Sequence, residues 1–98
     1  MKLCSMETSE LLSAFMQAIA ENTRVSAHHV SVYIALVDYK NRRGQQGAFT
    51  VFSRDILPYA KLSRPGTYHR IMNDLAEFGY IRYTPSHSWV LGSLVELL

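Results

Sequence analysis

The stretch that most restricts the fold is residues 63–81, SRPGTYHRIMNDLAEFGYI. Ser63 is a good helix N-cap, and Pro65 falls in the first turn, where its missing N–H costs little. Tyr68, Ile71, Leu75 and Phe78 then recur at helical spacing and form one apolar stripe. Gly79 follows the last of them, where a left-handed C-terminal cap is expected. Residues 80–84, Tyr-Ile-Arg-Tyr-Thr, change to β-prone types, so the chain is expected to pass straight from helix to strand. Away from the stripe lie Arg64, Gly66, His69, Arg70 and Asn73, a face with two arginines and no acid. One greasy side and one basic, hydrogen-bonding side is what insertion into a DNA major groove requires.

The segments around it complete a recognisable order. Leu11, Leu12, Phe15, Met16 and Ile19 predict an amphipathic helix over residues 9–21. Ser26 can cap a second helix, whose stripe is read as Val30, Tyr33, Ile34 and Val37. That helix ends near Arg42-Arg43-Gly44, with basic residues against the negative end of its dipole. Residues 49–52 predict a short strand. Ser53 is read as the cap of a short helix over residues 54–61, with Ile56, Leu57 and Ala60 facing inward. Pro58 falls inside that helix, so a kink or break is expected there. Only two or three residues separate it from the helix opened by Ser63, which forces a sharp angle between the two. Residues 80–84, the loop Pro85-Ser86-His87-Ser88 and residues 89–97 predict a hairpin, with Trp89, Leu91, Val95 and Leu97 on one face. A lone hairpin is marginal, so pairing with residues 49–52 is expected to hold it. The expected fold is one domain, mainly α with a small antiparallel β-wing. It comprises N-terminal helices over 9–43, a strand plus helix-turn-helix over 49–79 and a wing over 80–97.

Ser63, Thr67, Arg70, Ile71, Leu75, Phe78, Gly79, Tyr80 and Ile81 resemble the recognition-helix pattern of bacterial winged helix-turn-helix transcriptional regulators. In that family a Ser opens the helix, a Thr or Ser sits four residues on, and the helix closes with Leu-x-x-x-Gly, an aromatic or Leu, then Ile. The resemblance covers residues 49–97, half the chain, and is specific for the fold but not for a DNA sequence. Short winged-helix proteins of bacterial mobile elements look similar from Ser63 to Val95. The resemblance implies sequence-specific binding of double-stranded DNA, with the helix over 63–78 in the major groove, and a role in transcriptional regulation.

Composition agrees with such a partner without naming it. The chain has 98 residues, 48% hydrophobic, and a formal charge of +2, so distribution matters more than total. Residues 61–73 hold three basic residues and no acid, and Lys40, Arg42 and Arg43 form a second cluster. Local basic faces of this kind attract phosphate. For Arg64 and Arg70 the alternatives are contact with phosphate or guanine, or simple solvation and pairing with Asp74 and Glu77. The Thr67 hydroxyl reaches a phosphate or its methyl packs. His69 and Asn73 share an exposed face on which Asn can read adenine; the alternative is a surface pair with no target. Gly66 either permits close backbone approach to phosphate or has no role. Arg82 and His87 are the wing's candidates for minor-groove or phosphate contact. Ser63 completes the set of expected DNA-binding residues.

Other classes fit poorly. The single Cys4 cannot form an internal disulfide, which suits a reducing cytosol. Glu7 interrupts the apolar run after Lys2, so no signal peptide is expected. The longest nearly apolar run, residues 30–37, is far shorter than the ~20 residues that cross a bilayer. A cytoplasmic protein with no membrane association is expected. His28 and His29 are adjacent and project differently from a helix, and the Cys and His spacing matches no zinc site. With no phosphate-binding glycine loop or nucleophile motif either, neither an enzyme nor a resident metal or cofactor is expected. No small-molecule effector site is evident. The apolar segment with Leu11, Phe15 and Met16 either forms a homodimer or covers the protein's own core. Two alternative functions remain: a winged-helix protein–protein adaptor, and a DNA-binding replication or excision accessory factor.

Overall fold

A computed structural model of the chain describes residues 3–44, 47–86 and 92–98. The elements run α1 (Leu3–Ile19), α2 (Ala27–Arg43), β1 (Phe49–Val51), α3 (Ser53–Ala60), α4 (Pro65–Glu77), β2 (Ile81–Thr84) and β3 (Ser93–Leu97). The fold is mainly helical with one three-stranded antiparallel sheet of order β1-β3-β2, consistent with a winged-helix-like arrangement. Phe49 opposes Val95 on one side of β3, and Tyr83 opposes Val95 on the other. The expected hairpin is therefore held by β1 through its second strand. Residues 89–91 of that strand, as read from sequence, lie outside the described residues.

The core lies between the sheet and the helices. Phe49, Val51, Ile81 and Val95 from the sheet meet Val32, Leu36, Ile56, Ile71, Met72 and Leu75 from α2, α3 and α4. In α4 the expected stripe is present, with two changes. Met72 is fully buried beside Ile71, and Phe78 is a half-buried cap residue after the helix. Gly79 takes φ +90° and turns the chain toward β2 as expected. The Tyr80 N–H then reaches back to the Leu75 carbonyl at 3.0 Å.

The α2 stripe differs from the sequence reading. Its buried positions include His29, Val32, Tyr33, Leu36 and Val37, while Ile34 is exposed and Val30 half-buried. The stripe begins one residue earlier because a histidine, counted as polar, is its first member. A wide buried arc suits a helix that packs against α1, α3 and α4. Gly44 ends α2 in the left-handed conformation, φ 65°, its N–H returning to the Asn41 carbonyl.

Three helices also differ at their boundaries. α1 starts earlier than expected and ends at Ile19, where the Asn22 N–H caps the Ile19 carbonyl at 3.0 Å. The Asn22 side chain also donates to the Tyr80 hydroxyl at 3.1 Å. Ser53 is the first residue of α3 and Phe52 its cap. Ser63 is likewise no cap: Arg64 holds that position with φ −119° and ψ 124°, and Pro65 is the first helical residue. A proline pushes the residue before it into extended geometry and is itself preorganised for the first helical position, so the boundary falls one residue after the serine.

α3 runs unbroken through Pro58 to Ala60. Proline deletes one backbone bond there without ending the helix, and both the helix and its terminus have other support. Ser31 of α2 donates its hydroxyl to the Ala60 carbonyl at 2.8 Å. Lys61 then adopts φ 61° and ψ 39°, left-handed geometry that glycine would occupy at lower cost. Four residues, 61–64, separate α3 from α4, rather than two or three.

Phe15 is buried, stacked on Tyr33 with ring centroids 3.7 Å apart and edge-on to Tyr80 at 5.3 Å. The covering of the protein's own core therefore uses Phe15, which is withdrawn from any dimer surface. Among the described residues, no helix is long and apolar enough to cross a membrane.

Candidate nucleic-acid interface

α4 presents two unlike faces. Tyr68, Ile71, Met72 and Leu75 are buried, whereas Arg64, Gly66, His69, Arg70 and Asn73 are exposed and Thr67 is half-buried. Ser63 is exposed in the connection before the helix. The first turn of α4 carries no acidic side chain, so the positive end of its dipole is unopposed there. A Cβ added at Gly66 would meet nothing within 4 Å. No packing constraint inside the protein requires a glycine, and its absent side chain leaves the first turn bare.

The exposed side chains differ in how far they are committed. Among the described residues, the Arg64 guanidinium has no hydrogen-bond or ion-pair partner. Arg70 lies 3.6 Å from the Asp74 carboxylate, the i,i+4 pairing that the spacing allowed. Asp74 has a second duty. Its carboxylate accepts from His29 Nε2 at 2.9 Å, and His29 Nδ1 in turn accepts the Ser26 backbone N–H at 2.8 Å. With Ser26 on Nδ1 and Asp74 on Nε2, the buried His29 links the start of α2 to the middle of α4. Ser26 lies three residues before His29, at the expected cap of α2, whereas sequence periodicity does not place Asp74 in the bridge because it lies 45 residues from His29.

β2 meets the other side of the face. The Tyr83 hydroxyl is 3.5 Å from His69 Nδ1. Tyr68, beneath it, is buried with a hydroxyl that has no partner among the described residues. Burial, with a smaller effect of Tyr83, raises its pKa above the usual phenol range. Arg82 is exposed and points away from the core as expected, but Glu96 opposes it across the strands at 2.7 Å. Its charge is thus answered within the sheet. His87 lies outside the described residues.

Of the second cluster, Arg42 donates to Asp38 at 2.8 Å at the C-terminal end of α2. Among the described residues no group of three or more His, Cys, Asp or Glu side chains could hold a metal ion. Comparison with protein-family models, with curated proteins and with solved structures finds no match.

Proposed function

We propose that the protein is a winged helix-turn-helix protein that binds double-stranded DNA sequence-specifically and regulates transcription. The observation that carries this reading is the division of α4 into a fully buried apolar face and an exposed face of Arg64, His69, Arg70 and Asn73 without an unpaired acid. With α4 in the major groove, Arg64 supplies the uncommitted guanidinium and Asn73 an amide suited to adenine N6 and N7. Arg70 is aimed by Asp74, which holds the guanidinium on the exposed side of the helix. Thr67, Gly66 and Ser63 lie at the end of α4 that approaches phosphate, and Arg82 contributes long-range charge moderated by Glu96. The reading assigns no catalytic residue and no resident cofactor, and places the protein with DNA in the cytoplasm. A replication or excision factor would use the same surface, and genomic neighbourhood separates that role from transcriptional control.

Selection of bound duplexes from a random pool at two salt concentrations tests the reading. An enriched sequence and an affinity that falls with salt are expected. Arg64→Ala and Arg70→Ala should each remove about 1–3 kcal/mol of discrimination with nearly unchanged thermal stability. Unchanged affinity in both folded variants would exclude the docking mode.

A second reading has one observation in its favour: Leu94 of β3 and Leu98 beyond it are 47% and 54% exposed. An exposed apolar pair on and just beyond the central strand suits a protein partner docking on the sheet face, and salt-insensitive failure to bind any duplex would favour this adaptor role.

Self-association would lengthen the site read, since a single module buries only about 600–1,000 Å² of surface on DNA. With Phe15 buried, the exposed Met16 and the half-buried Leu11 are what remain of the proposed dimer patch on α1. We expect a homodimer on a two-fold or directly repeated site. Light scattering combined with stoichiometry on a selected duplex decides it, and a monomer binding one-to-one rules the dimer out.

A further inference from the structure

A second concentration of positive charge lies away from the α4 face, where α2 and α3 enclose a recess of about 430 Å³. Arg42, Arg43 and Arg54 line it, with Asp55 as the one carboxylate among the lining residues. Each arginine lies over an aromatic ring: Arg42 over Tyr59 at 4.6 Å, Arg43 over Tyr39 at 4.8 Å and Arg54 over Phe52 at 4.4 Å. A ring against the face of a guanidinium fixes its plane and restricts the side chain while leaving the in-plane N–H donors free. Arg42 is engaged by the Tyr59 side chain and donates to Asp38. Arg43 and Arg54 have no carboxylate partner among the described residues, so their donors face solvent uncommitted.

Planar forks held in this way match oxygens in pairs, the geometry of phosphate. The volume falls in the range of small-molecule sites and admits a ligand of nucleotide size. Tyr59, 58% exposed at the rim, adds a hydroxyl that can donate to a phosphate oxygen. We propose that this recess binds a phosphate ester, held by Arg43 and Arg54 with Arg42 as third ligand. The sequence shows no effector site because the recess exists only where α2, carrying Arg42 and Arg43, packs on α3, carrying Arg54 and Tyr59. The ester can belong to a free nucleotide or to the backbone of a bound nucleic acid, and the chemistry of capture is the same.

The test is a titration of the full chain, labelled at arginine Nε, with inorganic pyrophosphate and with 5′-AMP at constant ionic strength. Saturable shifts of the Arg42, Arg43 and Arg54 signals are expected, with affinity at least about tenfold weaker in Arg43→Gln/Arg54→Gln. The Arg43→Lys/Arg54→Lys pair, which keeps the charge but loses the planar forks, should also bind more weakly while folding normally. Absence of saturable shifts, or affinity unchanged in the glutamine variant, would overturn the proposal. Because this arm contains no DNA, it stands or falls independently of duplex recognition by α4. A second arm identifies the source of the ester. Competition of pyrophosphate with duplex, and a salt slope reduced by about 2 in the glutamine variant, assign the backbone. Duplex binding unchanged in a variant that has lost pyrophosphate assigns the free ester.

Discussion

Leu75→Ala is expected to lower the free energy of unfolding by about 2–5 kcal/mol, the range for deleting most of a fully buried leucine side chain. Leu75 is completely inaccessible at the centre of the α4 stripe, in the core shared with Ile56, Ile71, Met72 and Ile81. Its backbone carbonyl also receives the Tyr80 N–H that turns the chain into β2, so a shift of α4 would be felt in the sheet. Asn73→Ala, on the opposite face of the same helix, should stay within about 0.5 kcal/mol. Chemical denaturation of both variants measures the contrast. A Leu75→Ala effect as small as that of Asn73→Ala would mean that the helix turns its other face inward, and the assignment of the DNA-reading face would fall with it.

Gly92→Ala is expected to be comparably damaging for a different reason. Gly92 has φ +72°, and a Cβ there would lie 2.8 Å from the Thr50 methyl and 2.9 Å from the Val51 carbonyl oxygen. The methyl belongs to an exposed side chain and can rotate. The carbonyl is fixed in β1 and cannot. Gly79 provides the control, since it has φ +90° with nothing within 4 Å of an added Cβ. Gly79→Ala should therefore show left-handed strain alone, about 1–2 kcal/mol. Gly92→Ala should cost about 1–3 kcal/mol more, through overpacking against β1. Thermal melts of the two variants separate the terms, and equal losses would show that β1 does not approach Gly92 so closely.

Much of α4 could be read from sequence because its signals are local and agree with each other. The stripe, the glycine after it and the β-prone residues beyond all fall within a few turns of chain. Its N-terminal boundary follows from the constraint that Pro65 places on Arg64, which outweighs the capping preference of Ser63. Pro58 shows the opposite limit. A local rule predicts a break, and tertiary support from Ser31 on the α3 terminus helps keep the helix whole. α2 departs from the sequence expectation at Ile34 and His29 because polarity does not fix exposure. A histidine can be buried when both ring nitrogens are satisfied, and here Asp74 and Ser26 satisfy them. The pairing of Arg82 with Glu96 and the placement of Arg42 over Tyr59 depend on register and helix packing. No periodicity within one segment reports either. The exposed face of α4 was thus legible as a set of residues, but the partners that engage Arg70, His69 and Arg82 were not.

The sheet order carries a consequence for how the chain is made. β3 follows both of its neighbours in sequence and is bonded to each, while β1 and β2 are not bonded to each other. On the ribosome, the helices can begin to associate while both outer strands still lack β3, the one strand to which, among the described residues, they are bonded. Until residues 93–97 emerge, Phe49, Val51 and Ile81 have no strand to close over them, and two strand edges stand open to other chains. The same five residues then complete two ladders in a single step. Nascent chains stalled before that point are where aggregation should begin, and where a chaperone would find its substrate.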